Sequence, residues 1–148
     1  ISVVITEVPE NIPNAVREIV AKHPEMELKL TGNLTDQELV KIYSGSDLVV
    51  ITSLYESSSL PILEAVACGA RVLASSIPPH LEMASNLPIA IYESENCSSL
   101  QKSLVEILDQ VQSGAKAGAT DNIEMYAWEN IAKIYLETFR FLIDVPNL

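Results

Sequence analysis

The chain has 148 residues, which is enough for one domain with a substantial hydrophobic core. Its 20 acidic residues against 9 basic ones give a formal net charge of -11, which repels the phosphates of nucleic acids and the surface of anionic membranes. Hydrophobic residues make up 48% of the chain but aromatic ones only 5%, so aliphatic side chains must fill the core, as in sheets covered by helices. The composition therefore disfavours nucleic-acid binding and favours an α/β fold.

No apolar run reaches the ~18–20 residues that cross a bilayer, and no signal segment opens the chain. The two cysteines, Cys68 and Cys97, lack the spacing of a zinc site or of a disulfide framework. We therefore expect no metal site and a cytoplasmic location.

Short runs of aliphatic and β-branched residues alternate with helical patterns along the chain. The runs predict strands over residues 2–6, 27–30, 48–51, 71–74 and 88–92. The helical patterns cover residues 14–23, 35–43, 60–68, 80–83, 98–112 and 123–143. Small residues predict a linker at about 115–122, before the final helix.

Several residue types support the predicted helix ends. The segments that begin at Thr35 and at Ser98 have the spacing of a capping box. Pro61 suits a first helical turn, and Gly69 suits the left-handed residue that ends a helix. The proline pair at 78–79 predicts an interruption of regular secondary structure.

The alternation of strands and helices predicts the fold class. Parallel neighbours need crossover connections, and the intervening helices supply them. We expect an α/β fold, a Rossmann-like parallel sheet flanked by helices on both faces, in a single domain over residues 1–148. Ligands of such sheets lie at the carboxyl ends of the strands. This rule places residues 52–60, after the third predicted strand, at the mouth of any site.

Two carboxylates lie in or near this segment, with seven residues between them. Glu56 lies in the loop, and Glu64 lies about one turn into the next helix. Carboxylates accept hydrogen bonds from sugar hydroxyls, and the free N–H groups of the helix that starts at Leu60 suit a phosphate, so the two features together suggest a nucleotide sugar. A second interpretation stays open, because an acid near a helix start complements the helix dipole and Glu56 can be a solvated loop residue.

The sequence around these acids is distinctive. Its segments are TGNLTDQELVKIY at 31–43, SDLVV at 46–50, SLYE at 53–56, LPILEAVACG at 60–69, VLAS at 72–75, Glu82 and YAWE at 126–129. They resemble the C-terminal domain of retaining glycosyltransferases with the GT-B fold, of the group 1 or family 4 type. The resemblance covers most of the chain.

The resemblance implies roles for particular residues. Glu56 would contact hydroxyls of the donor hexose and is the candidate catalytic residue, and Glu64 would bind the ribose hydroxyls of the nucleotide. Backbone amides of the intervening loop would approach the donor sugar and phosphates, and these belong to Ser57, Ser58, Ser59 and Leu60. The implied function is transfer of a hexosyl group from a UDP-, GDP- or ADP-sugar, with retention at the anomeric carbon, in carbohydrate biosynthesis. No cofactor and no catalytic metal are expected.

Partners also follow from the resemblance. The nucleotide sugar is one, and an N-terminal acceptor-binding domain of the same parent chain is another. We expect the chain to lack the first strand and helix of its domain, and to be inactive by itself. The acceptor is unknown, and a membrane-associated acceptor is among the candidates.

The chain departs from the family pattern at two points. Ser57-Ser58-Ser59 replace the usual Gly-aromatic-Gly, and no basic residue matches the Arg and Lys that hold the diphosphate. These departures keep open a second hypothesis, a degenerate, non-catalytic domain that acts as a binding or scaffolding module. A receiver-type signalling domain shares the alternating pattern but requires an acidic cluster that this sequence lacks.

Three further features have structural interpretations that we prefer. Arg71 suits a surface position at a strand start, although it could reach a phosphate. His80 follows two prolines near the carboxyl edge of the sheet, where a role near the donor is the less favoured interpretation. Aromatic residues of the last helical region are expected to pack in the core, and these are Tyr126, Trp128, Tyr135, Phe139 and Phe141.

Overall fold

The computed structural model describes residues 2–6, 14–115, 118 and 122–144. Its residues group into two compact units, Ile1–Lys41 and Ile42–Leu148. The single domain expected over 1–148 stays a prediction. Most of the expected linker at 115–122 lies outside the described residues.

The first unit contains a two-stranded parallel sheet. Strand β1 (Ser2–Ile5) and strand β2 (Glu27–Leu30) pair residue for residue over their full length, with helix α1 (Asn14–Lys22) between them in the chain. The bounds agree closely with the sequence-based expectation, because β-branched and aliphatic runs bounded by turn residues mark short strands well.

Helix α2 (Asp36–Ser44) begins at the predicted capping box. Glu38 Oε2 accepts hydrogen bonds from the Thr35 N–H at 2.9 Å and from the Thr35 hydroxyl at 2.7 Å, and the Glu38 N–H donates back to Thr35 Oγ1 at 3.4 Å. The hydrogen bonds from Thr35, the side-chain one first, lower the pKa of the Glu38 carboxyl. The capping box is confirmed, and it satisfies N–H groups that a helix start leaves free.

The second unit contains three parallel strands. They are β3 (Val49–Ile51), β4 (Val72–Ser75) and β5 (Ile89–Tyr92), hydrogen-bonded in the order β3-β4-β5. Every residue of the central strand β4 is buried, so both of its faces are covered. This burial explains why β4 reads as a continuous apolar run and not as an alternating one.

Helix α3 (Leu60–Ala67) packs on this sheet and begins the region of the expected site. It buries Ile62, Ala65 and Val66, which recur at helical spacing, and it contacts β3 and β4. Gly69 follows with φ of 78°, as expected for the residue that ends a helix.

Helix α5 (Cys97–Gln112) supplies the rest of the core. Ile107 of this helix packs with Leu73 and Tyr92 of the sheet. The expected capping box at Ser98 was wrong, because the N-cap is Asn96, whose Oδ1 accepts a hydrogen bond from the Ser99 N–H at 3.0 Å. An asparagine side chain caps as well as a serine does, so spacing alone selected the wrong residue.

Two helical regions differ from the expectation. Pro78 and Pro79 do not interrupt the secondary structure but begin helix α4 (Pro78–Ala84). Prolines are tolerated there because the N–H groups of a first helical turn have no acceptor within the helix. The single helix expected over 123–143 is divided into a 3-10 helix (Ile123–Tyr126) and helix α6 (Trp128–Asp144). Ala127 separates them with an extended backbone, at φ of -65° and ψ of 138°.

The aromatic stripe of the last helices is exposed, so the expectation of core packing was wrong for four of its residues. Trp128 is 78% exposed, and Phe141 is 69% exposed. Tyr135 and Phe139 are also exposed, and their rings lie 6.1 Å apart. Helical spacing identifies an apolar face, but it does not identify what covers that face.

The described strands lie in a two-stranded parallel sheet, β1-β2, in the first unit and in a three-stranded parallel sheet, β3-β4-β5, in the second. The α/β class, with parallel strands flanked by helices, is confirmed. Among the described helices, none combines the length and the apolar character needed to cross a membrane.

Candidate functional site

The candidate site lies where β3 and β4 end, within the second unit. The chain leaves β3 at Ile51, forms the loop over residues 52–59 and enters α3. It leaves β4 at Ser75 and enters α4 three residues later. Because β3 and β4 are parallel, both exits lie at the same edge of the sheet. The edge that the sequence predicted for a ligand therefore carries two helix starts.

Glu56 and His80 meet at this edge. His80 Nε2 lies 3.3 Å from Glu56 Oε2. The His80 side chain is fully buried, and that of Glu56 is 18% exposed. Burial raises the pKa of the Glu56 carboxyl, but hydrogen bonds from Ser53, Ser59 and His80, with the attraction of His80, bring it below its ordinary value of 4.5. Glu56 is thus an ionised, partly accessible carboxylate, which accepts hydrogen bonds only.

The other ring nitrogen of His80 contacts the end of β4. Its Nδ1 lies 2.9 Å from the Ser75 carbonyl oxygen and 3.2 Å from Ser75 Oγ. The Ser75 hydroxyl itself donates to the Ser53 carbonyl at 2.5 Å. These contacts connect the ends of β3 and β4 through one buried imidazole.

The serine loop precedes α3. Ser57 and Ser58 are exposed, whereas Ser59 is fully buried. Ser59 Oγ makes no hydrogen bond of normal length with the described residues, although its hydroxyl lies near enough to Glu56 to lower that carboxyl's pKa. In the described part of the chain the only non-glycine residue with positive φ is Glu95, so the serines adopt this loop without the left-handed backbone that glycine permits.

The start of α3 has no side-chain cap. Ser59 is the N-cap residue, but its hydroxyl accepts no hydrogen bond from the helix. Leu60, the first helical residue, is 57% exposed. An uncapped helix start presents N–H groups and the positive end of the helix dipole, which suit an anion.

Glu64 lies in the middle of α3 and is exposed. Its carboxylate makes no hydrogen bond or ion pair with any residue that the structure describes. The side chain is therefore free to accept hydrogen bonds from a ligand. The structure does not test its assignment to a ribose, which stays a prediction.

Arg71 does not belong to this site. It precedes β4, at the opposite edge of the sheet from Glu56, and its guanidinium donates a hydrogen bond to the Ala115 carbonyl. The geometry supports a structural role for Arg71 at the start of the strand, and not a contact with a phosphate. No group of three or more metal-ligating side chains is placed to hold an ion within the described ranges.

His80 makes the contact that sequence reasoning missed. Its position after two prolines indicated nearness to the carboxyl edge, but nothing in the sequence indicated its contact with Glu56. The signal that was available is topological, because parallel strands bring the loops after β3 and β4 together. The spacing of 24 residues between the two positions carries no signal by itself.

The fold and the site define an α/β protein, with an ionised carboxylate and an uncapped helix start at the carboxyl edge of its parallel sheet. Comparison with known families identifies the family to which the chain belongs. The family described as "Glycosyl transferases group 1" matches residues 14–120. The chain therefore belongs to this glycosyltransferase family.

Known relatives and a solved structure agree with this assignment. The chain is 30% identical over 120 residues to the serotype-specific mannosyltransferase WbdA of Escherichia coli. This match covers 80% of the chain and 15% of that protein. It is 31% identical over 106 residues to the D-inositol 3-phosphate glycosyltransferase of Paenarthrobacter aurescens, covering 70% of the chain and 26% of that protein.

The solved structure of sucrose-phosphate synthase from Thermosynechococcus elongatus superposes with a TM-score of 0.73 at 20% identity. This superposition covers 98% of the chain and 39% of the synthase, and it supports the GT-B fold. The chain thus spans well under half the length of each of these three proteins.

Proposed function

We propose that this chain binds the nucleotide-sugar donor of a glycosyltransferase that moves a hexosyl group to an acceptor. Glu56 accepts hydrogen bonds from hydroxyls of the donor hexose and is the candidate catalytic residue. Glu64 accepts hydrogen bonds from the ribose. The observation that carries the proposal is the ionised, partly exposed Glu56 carboxylate beside the uncapped start of α3.

The diphosphate of the donor is assigned to the start of α3. Its backbone N–H groups, with those of Ser57, Ser58, Ser59 and Leu60, offer hydrogen bonds to phosphate oxygens. No cofactor or metal is part of this proposal, because the phosphate contacts are backbone amides.

The acceptor side is assigned to another part of the enzyme. The relatives are several times longer than this chain, which supports a second, acceptor-binding domain as its partner. By this proposal the chain binds a donor but transfers nothing alone. Retention at the anomeric carbon and a cytoplasmic site of action belong to the same proposal, and the names of the relatives are consistent with a role in carbohydrate biosynthesis.

Calorimetric titration of the full chain tests this proposal. The ligands are UDP, GDP and ADP, each compared with a sugar conjugate. We expect one base to bind, and Glu64→Ala to weaken the diphosphate and its conjugate about equally. Each hydrogen bond to a charged group contributes about 1.5–3 kcal/mol, so the loss should be about tenfold or more.

The matched control is Glu137→Ala, an exposed helical glutamate of α6. It should leave binding unchanged, because Glu137 lies outside the candidate site. If none of the three nucleotides and none of their conjugates binds, the donor-site proposal is wrong for this chain and the degenerate binding module becomes the better hypothesis.

A further inference from the structure

We propose that His80 is a positioning residue that donates a hydrogen bond from each ring nitrogen and thereby holds the Glu56 carboxylate in place for the donor sugar. The consequence for the sugar rests on the proposed function. The hydrogen-bonding state of His80 does not, and it can be tested without any donor.

The proton on Nδ1 follows from the acceptors around it. The Ser75 carbonyl, at 2.9 Å, has no proton to give. The Ser75 hydroxyl is committed as a donor to the Ser53 carbonyl, so toward Nδ1 it offers a lone pair. A ring nitrogen facing two acceptors must carry the hydrogen itself.

The proton on Nε2 follows from Glu56. An ionised carboxylate has only acceptors, and Nε2 lies 3.3 Å from one of its oxygens. A neutral imidazole with its hydrogen on Nδ1 would turn a lone pair toward that carboxylate and be repelled. Both nitrogens therefore act as donors in these contacts, one to the end of β4 and one to Glu56.

Burial makes both hydrogen bonds of the His80 ring necessary. The His80 side chain is fully buried, and a buried polar group requires hydrogen-bond partners. Glu56 supplies one from the loop, and the backbone of β4 supplies the second acceptor. The contact holds Glu56 Oε2 against the protein, so that the carboxylate meets a sugar hydroxyl in one orientation and not in many. Ordering a carboxylate in advance removes part of the entropy cost of binding.

Nitrogen NMR of the full chain, labelled at histidine, tests the hydrogen-bonding state directly. The chain has two histidines, and a His23→Gln variant assigns the signals. At neutral pH we expect both His80 nitrogens to have the shift and the attached proton of a protonated type. In Glu56→Gln, Nε2 should move to the unprotonated type, because it can then accept a hydrogen bond from the glutamine amide. An unprotonated Nδ1 or Nε2 in the unmodified chain, or an unchanged Nε2 in Glu56→Gln, would overturn the inference.

Two substitutions separate the positioning role from a structural one. In His80→Gln the amide nitrogen lies near the position of Nε2 and keeps the donor to Glu56. In His80→Asn the amide nitrogen lies near the position of Nδ1, which keeps the donor to Ser75 but loses the one to Glu56. We expect His80→Asn to reduce the affinity of a nucleotide sugar about tenfold relative to the matching nucleoside diphosphate, and His80→Gln to restore most of that difference.

The probes are UDP-glucose, GDP-mannose and ADP-glucose, each with its diphosphate. Equal losses in both variants, or losses shared by the free diphosphate, would show that His80 acts only on folding. If no probe binds the unmodified chain, the donor-site proposal fails. The NMR result then decides alone whether His80 holds Glu56.

Discussion

At the scale of single residues, the site depends on how one carboxylate is kept ionised in a partly buried place. Burial by itself raises the pKa of Glu56, and it is outweighed by hydrogen bonds from Ser53, Ser59 and His80. A carboxylate so supported keeps its charge and presents acceptors to a ligand. The sequence located Glu56 because of its resemblance to a family motif, but it did not reveal the histidine, which lies 24 residues further along the chain.

The lowered pKa of Glu56 predicts the pH dependence of stability. A folded-state pKa below the ordinary 4.5 means that the folded chain binds this proton more weakly than the unfolded chain does. The stabilisation is therefore complete above pH 4.5 and is lost as the pH falls through the lowered value. Urea unfolding of the chain and of Glu56→Gln should show a difference in unfolding free energy that narrows below pH 4.5. A difference that stays constant on acidification would contradict this prediction.

Gly69 carries a conformational prediction. At φ of 78° it occupies the left-handed region, and an added Cβ would meet no atom within 4 Å, so the cost of a side chain is purely that of the backbone. We expect Gly69→Ala to lower the unfolding free energy by about 1–2 kcal/mol. Gly32→Ala is the control, because that site is open and its φ lies outside this region. Gly32→Ala should be neutral or slightly stabilising, and equal effects of the two changes would argue against this explanation.

At the scale of secondary structure, strand and helix positions followed from local chemistry, while helix caps were less certain. The capping box at Thr35 formed as its spacing predicted. The spacing at Ser98 instead selected the second residue of α5, whereas the N-cap is Asn96. Several residue types cap helices about equally well, so spacing leaves neighbouring candidates unresolved. Proline pairs are similarly ambiguous, because the first turn of a helix tolerates them as readily as a loop does.

The cap of α5 can be decided by two alanine substitutions. Asn96 Oδ1 accepts the hydrogen bond of the Ser99 N–H, so Asn96→Ala should lower the unfolding free energy by about 1 kcal/mol. Ser98→Ala should change it by less than about 0.5 kcal/mol, since Ser98 is an exposed residue inside the helix. Thermal or urea unfolding measures both. The reverse order of the two effects would restore the cap expected from the sequence.

At the scale of the whole molecule, the sequence predicted the α/β class with parallel strands flanked by helices. It did not predict the exposure of the aromatic face of α6. The difference is physical. Periodicity reports which residues of an element avoid water, whereas strand partners and the cover of an apolar face depend on contacts between distant parts of the chain.

The net charge of -11 gives a last prediction for the whole molecule. A nucleotide sugar is an anion, so the acidic chain repels its own proposed ligand at long range, while the hydrogen bonds at the start of α3 act only at contact. Salt screens the long-range part first, because the Debye length falls from about 30 Å at 0.01 M to about 10 Å at 0.1 M. The association rate constant of the bound nucleotide should therefore rise with ionic strength, with little change in dissociation. Stopped-flow measurements over this salt range test it. An association rate that falls as salt is added would mean that a local cationic surface, and not the net charge, governs the approach of the donor.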